Sequence, residues 1–223
     1  MKYRHEWKHE INQTDRLILL KRLPAVMQRD RHVIDGQYQI RSLYFDTPTD
    51  KALYEKIDGV NKREKFRIRF YNGDTSFIVL EKKSKINNLC GKESVRLTEE
   101  EAQKIADGDI GWLLSREEPL LIEFYSKMKS QILRPKTIVD YTREPFWFGP
   151  GNVRVTIDHD IRTGEFRTDF LNPETLTIPA GESPIILEVK WDEFLPDIIR
   201  DAVSLPSRRV TAFSKYEQCR IYG

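Results

Sequence analysis

The chain has 223 residues, enough to bury a sizeable core, and an all-β barrel of this size is ordinarily one domain, expected here over residues 1–223. Lys and Arg total 37 against 35 Asp and Glu, a formal net charge of +2, which excludes the uniformly basic surface of a sequence-independent nucleic-acid binder and makes any cationic site a local one. No run approaches 18 uninterrupted apolar residues and MKYRHEWKHE has no signal-peptide core. The expectation is a cytoplasmic protein with no membrane span of its own, docking if at all on a separate membrane subunit. Cys90 and Cys219 have no metal-ligand spacing and fit a reduced compartment, and His5, His9, His32 and His159 are scattered without such spacing.

In chain order, Tyr3 to Ile11 alternates as a strand, with Arg4, Glu6, Lys8 and Glu10 on one face and Tyr3, His5, Trp7, His9 and Ile11 on the other. Asn12 or Thr14 caps a helix over Thr14 to Leu20 that ends ahead of Pro24. A strand from Tyr38 to Phe45 meets the turn cluster Asp46-Thr47-Pro48. Lys65 to Tyr71 places Phe66, Ile68 and Phe70 on one face and Lys65, Arg67 and Arg69 on the other. Asn72-Gly73-Asp74 turns the chain into a return strand from Ser76 to Lys83. After a strand over Lys92 to Leu97, Thr98 with Glu101 reads as a capping box for a helix to about Ala106. A second helix covers Leu121 to Leu133. Strands follow at Thr137 to Arg143, Val153 to Asp158 and Ile185 to Lys190, then a helical region broken by Pro206.

The strands share one property: each has an apolar and a charged face. Arg154, Thr156 and Asp158 oppose Val153, Val155 and Ile157; Glu188 and Lys190 oppose Ile185, Leu187 and Val189. For a single strand the charged face is ordinarily the solvated one; the lesser alternative for Arg154 with Asp158 is an ordinary cross-strand ion pair, and Ser214 and Lys215 also read as a helix cap and a solvated lysine. Repetition at fixed phase favours a closed antiparallel barrel turned polar side inward, its apolar outside wrapped by helices. Two like charges about 6 Å apart at an effective dielectric of about 20 repel by roughly 3 kcal/mol, so such a lumen needs counter-charge. Glu6, Glu10, Glu81, Asp158 and Glu188 supply some. A phosphate chain gripped by arginine forks supplies the rest, and a surplus of carboxylates would bind Mg²⁺ or Mn²⁺. There is no GxxxxGK[ST] and no Ser-His-Asp or Cys-His set.

The ordered set Arg67-x-Arg69, Glu81-x-Lys83, Tyr141-x-Arg143 with Arg154, Glu188-Val189-Lys190 and Phe213-Ser214-Lys215-Tyr216 resembles the VTC (vacuolar transporter chaperone) polyphosphate polymerase domain. That domain is one of the triphosphate tunnel metalloenzymes, alongside the CYTH proteins, and the resemblance runs from about Lys2 to Tyr222. It implies an α+β chain: a closed antiparallel β-barrel, or tunnel, of about eight strands with flanking helices and a polar lumen. It implies Arg67, Arg69, Lys83, Arg143 and Lys215 as catalytic cations and Lys8, Lys92, Tyr141, Arg154 and Ser214 as substrate contacts, with Arg96 competing for the place of Lys92. Glu188, Glu6 and Glu81 are the implied ligands of Mn²⁺ or Mg²⁺. The implied activity passes the γ-phosphoryl of ATP to a growing polyphosphate chain, so ATP and inorganic polyphosphate are the expected partners. The alternatives are hydrolysis of triphosphate or polyphosphate in the same fold, and a non-catalytic polyphosphate sensor. The first strand reads Glu6-x-Lys8-x-Glu10 where the wider superfamily has ExExK, which leaves fewer acidic ligands and weighs against simple hydrolysis.

Overall fold

The computed structural model describes residues 3–30, 33–206 and 208–222; Lys2 and His32 lie outside them. Ten strands form one antiparallel sheet: β1 (Tyr3–Ile11), β2 (Gln28–Arg29), β3 (Tyr38–Asp46), β4 (Arg63–Tyr71), β5 (Asp74–Ile86), β6 (Leu89–Leu97), β7 (Arg134–Phe148), β8 (Val153–Thr163), β9 (Ile178–Pro179) and β10 (Ile185–Trp191). Their order is β2-β7-β3-β4-β5-β6-β1-β10-β8-β9, and β7 also pairs with β8. Eight strands thus close into the expected barrel, with β2 and β9 as short additions to its rim. The β4–β5 turn forms where expected, because Asn72 and Gly73 both take the positive φ (52° and 71°) that a tight hairpin requires.

The helices are α1 (Gln13–Arg22), α2 (Lys51–Ile57), α3 (Glu99–Ala106), α4 (Pro119–Ser130), α5 (Asp197–Val203) and α6 (Lys215–Ile221). They cover the outward apolar rows. Phe45, Phe66, Ile68, Ile78 and Leu80 of β3 to β5 pack against Ala102 and Ile105 of α3 and Leu121 and Phe124 of α4. Across the barrel, Val155, Ile157, Leu187 and Val189 pack against Leu19 of α1 and Ile199 of α5. The rows facing inward are then the charged ones, since alternation sends successive side chains to opposite faces.

The lumen is polar over only part of its length. Tyr38, Ile40 and Tyr44 of β3 and Val139 and Tyr141 of β7 form a third apolar cluster with Tyr216 and Cys219 of α6. The Tyr216 hydroxyl donates to Asp46 Oδ2 at 2.7 Å and its ring stacks on Tyr44. The C-terminal helix is therefore part of the lumen wall, where the sequence offered only a terminal helical region. It is reached by a strap that mends the weakest seam. Among the described residues β1 pairs with β6 only at Tyr3–Gly91 and Arg4–Cys90, and beyond that point Val210 bridges to His9 and the Thr211 N–H donates to the Lys8 carbonyl at 2.8 Å.

Several element boundaries differ from expectation for identifiable reasons. Asn12, not Thr14, caps α1, in a reciprocal capping box with Asp15. Asp46-Thr47-Pro48 does not merely turn the chain: Asp46 accepts N–H bonds from Ala52 and Leu53 and so starts α2. α4 begins at Pro119, a residue suited to the first helical turn, and ends before Ile132 with its positive φ. β7 runs through Pro135 and Pro145, the first at a register irregularity beside Tyr44 and Phe45 where the missing N–H is tolerated. No helix among the described residues is long and apolar enough to cross a membrane.

Candidate active site

A cavity of about 690 Å³ occupies the lumen. Among the described residues its wall carries fourteen Lys and Arg side chains and three carboxylates, Glu6, Glu64 and Glu188. The chain as a whole is nearly neutral, so the charge is concentrated here. Three buried anionic centres hold seven of these cations in place.

The first centre is Glu81, 1% exposed. The β4–β5 register sets Arg67 opposite it. Arg67 Nε and Nη2 donate to its Oε2 at 3.0 and 2.8 Å, Arg69 Nη2 lies 2.8 Å from Oε1, and Lys92 Nζ 3.1 Å from Oε1. Burial alone would raise this carboxyl, but Arg67, Arg69 and Lys92 together hold it well below the usual range. Glu81 was expected as a metal ligand. Both its oxygens are taken by cations that line the cavity in front of it, and it does not line the cavity itself.

The second centre is Asp158. Arg143 grips it with two parallel bonds, Nε to Oδ1 at 2.6 Å and Nη2 to Oδ2 at 2.7 Å, and Lys215 Nζ lies 2.5 Å from Oδ2. Against burial, these two cations bring Asp158 down to about 2. Asp158 is thus not the partner of Arg154, and Lys215 is not a solvated lysine. Tyr141 sits in the same group, its ring under Lys215 Nζ at 4.6 Å and Arg143 at 5.4 Å. Burial pushes its phenol up, but Arg143, Arg67 and Lys215 outweigh that and lower it.

The third centre pairs two carboxylates with two ammonium groups. Lys8 Nζ lies 3.3 Å from Glu6 Oε1 and 3.6 Å from Glu188 Oε2; Lys190 Nζ lies 3.2 Å from Glu6 Oε2 and also contacts Glu188. Glu188 is 4% exposed, so the Glu188–Lys190 row is not a solvated face. Burial raises Glu6, while Lys8, Lys190 and Lys83 draw it down to about 2. Glu10, on the same strand, is exposed and away from the cavity. Among the described residues there is no cluster of three or more His, Cys, Asp or Glu side chains disposed to hold a metal.

What remains is a set of cations with nothing to grip. Lys83 and Arg154 line the cavity, and their side chains make no hydrogen bond or ion pair among the described residues. The buried Arg69 Nε has no partner. Burial, then the nearby Arg67 and Lys190, pushes the Lys83 ammonium well below the usual lysine range, the mark of a cation short of counter-charge. Lys92 lines the cavity, whereas Arg96 lies over the Phe77 ring and donates to the Ser76 carbonyl. Ser214 caps α6, as its residue type suggests, and its Oγ also accepts from Lys65 at 3.1 Å.

The structure thus brings Lys8, Arg67, Arg69, Lys83, Lys92, Tyr141, Arg143, Arg154, Ser214, Lys215, Glu6 and Glu188 to one cavity. Sequence reasoning passed over Lys65, Lys190, Arg4, Lys56 and Arg63, which line it too. Lys65 shares a face with Arg67 and Arg69, and Lys190 with Glu188, so alternation alone was a sufficient signal for those two.

The sequence matches the family model of the VTC domain over residues 3–221. No curated protein matches it. Among solved structures, the PH1012 protein of Pyrococcus horikoshii OT3 is similar with a TM-score of 0.52 at 12% identity, over 97% of this chain and 99% of that one. HpAC1 of Hippeastrum, described as having a dominant triphosphatase activity, is similar with a TM-score of 0.52 at 12% identity, over 90% of this chain and 83% of that one. At these identities the likeness is one of fold.

Proposed function

The chain belongs to the VTC domain family, and on that premise we propose that it is a metal-dependent polyphosphate polymerase, which passes the γ-phosphoryl of ATP to the end of a polyphosphate chain. The observation that carries this reading is the cavity's fourteen Lys and Arg side chains against three carboxylates, with the Lys83 and Arg154 side chains and the Arg69 Nε unpartnered among the described residues. A linear phosphate chain supplies one charge or more per phosphate along its length and accepts bidentate arginine forks. Phosphoryl transfer needs little covalent help from protein; positioning and neutralisation of the three equatorial oxygens suffice. Arg67, Arg69 and Arg143 are held by Glu81 and Asp158, so the N–H groups they have left over are ordered before substrate arrives. Lys83 and Arg154 are the first cations available to the chain.

Glu6 and Glu188 are the carboxylates that fit Mn²⁺ or Mg²⁺. Two hard oxygen donors facing a phosphate site match the habit of these ions of taking one or two carboxylates and completing their shell with phosphate oxygens and water. Held there, such an ion would supply positive charge to offset the negative charge developing on the leaving group. Lys8 and Lys190, which hold these carboxylates, would then turn to phosphate. ATP as donor fits a cytoplasmic setting.

Incubating the purified protein with ATP and Mn²⁺ and separating the products on a polyphosphate gel tests the reading. Acid-insoluble polymer is expected. Free phosphate alone would make the protein a hydrolase; unchanged ATP together with tight polyphosphate binding would make it a sensor.

A further inference from the structure

Ser214 and Lys65 form a bonded pair on the cavity wall, apart from the three anionic centres. Lys65 Nζ lies 3.1 Å from Ser214 Oγ and 5.1 Å from the centre of the Tyr216 ring, and both side chains line the cavity. Neither is bonded to a carboxylate. The pair is held from both sides. Tyr216, beneath the lysine, is fixed by its bond to Asp46 and its stack on Tyr44. The strap before Ser214 is fixed where Lys8 Nζ donates to the Phe213 carbonyl at 3.1 Å and the Thr211 N–H to Lys8. A hydroxyl within hydrogen-bond reach of an amine that a third group orients is the arrangement of an activated nucleophile and its base.

We propose that Ser214 is itself a phosphoryl acceptor, taking the γ-phosphoryl of ATP with Lys65 as the base, so that the phosphate chain begins covalently on the protein. This rests on the reading of the cavity as a site for ATP. Ser214 Oγ attacks the γ-phosphorus as its proton passes to Lys65 Nζ; the new Oγ–P bond forms, the bond from phosphorus to the β–γ bridging oxygen breaks, and ADP leaves with that oxygen. The resulting phosphoserine presents a terminal phosphate to the next donor, and Lys65 returns its proton to solvent. Burial, with Lys8, Lys56 and Arg63 adding to it against Glu217, brings Lys65 down to about 7, which leaves an appreciable fraction of free amine at neutral pH.

Intact-mass measurement of the protein after incubation with ATP and Mn²⁺, followed by peptide mapping, tests this. A gain of about 80 Da or a multiple of it, mapped to Ser214, is expected. Ser214→Ala removes the adduct and Ser214→Thr, which keeps both hydroxyl and helix cap, retains it. Lys65→Met slows its formation about 100-fold or more, with thermal melting as the check that the variants fold. Polymer formed with no protein-bound phosphate, or an adduct mapped elsewhere, overturns the inference and leaves the polymerase reading standing. No adduct, no polymer and no released phosphate overturns both.

Discussion

Replacing Glu81 with Ala is expected to destabilise the protein by about 3–5 kcal/mol, the usual cost of stranding buried charge, and so to lower its melting temperature by roughly 10 °C for a chain of this size. The reason is local. Arg67 and Arg69 are 4% and 7% exposed, and Glu81 is the only carboxylate, among the described residues, to which either is bonded. Without it two guanidinium groups and Lys92 face one another across a lumen that already holds surplus positive charge. Because Arg67 and Arg69 also line the cavity, tripolyphosphate can replace the lost counter-ion, and it should stabilise the variant more than the wild type. Thermal melts of both proteins, with and without tripolyphosphate, check this. An unchanged melting temperature would mean that Glu81 is not the anchor of the arginine wall. The same chemistry makes the barrel acid-labile. Asp158 and Glu6, both held to about 2, contribute stability that is present above about pH 4 and is lost as pH falls toward 2.

Replacing Glu188 with Gln is expected to lower metal-dependent turnover of ATP by about 100-fold or more, while leaving tripolyphosphate binding without metal intact or tighter. Gln keeps the shape and one acceptor oxygen, and Glu6 remains to hold Lys8 and Lys190, so the wall survives. What is lost is one of the two carboxylates proposed to receive the ion, together with a negative charge that phosphate would otherwise have to approach. Steady-state rates across a Mn²⁺ titration, beside binding measured in chelator, separate the two effects. Turnover unchanged by the substitution would remove Glu188 from the metal site; lost binding in chelator would make its role structural.

The barrel was legible because its evidence is of period two. Lys65-Phe66-Arg67-Ile68-Arg69-Phe70 states both faces at once, and the same phase recurs at Val153 to Asp158 and Ile185 to Lys190. Alternation reports which face a residue occupies. It does not report what stands opposite, and that is where Glu81 differed: only the register of β4 on β5 shows that Arg67 and Arg69 stand between it and the cavity, which Glu6 and Glu188 line directly. Asp158 belonged by sequence proximity to Arg154 and by folding to Arg143 and Lys215, one strand and one helix away. α2 was hidden by Pro48, since the Asp46 carboxylate that starts it lies at the end of a strand and reads locally as a turn. The placing of α6 against the lumen was not legible at all. Its apolar partners Tyr44, Val139 and Ile161 lie far away in sequence, on strands whose inward rows seemed reserved for charge.

The central claim is that the lumen receives a phosphate chain on the cations left free within it. Calorimetric titration of tripolyphosphate into the metal-free protein tests it most directly, with the Lys83→Met/Arg154→Met double variant as comparison. The wild type should bind, with an affinity that falls steeply as salt is raised, and the double variant about 100-fold more weakly, as expected for two charge-assisted contacts. No binding to the wild type at low salt, or equal binding by the two proteins, would contradict the claim.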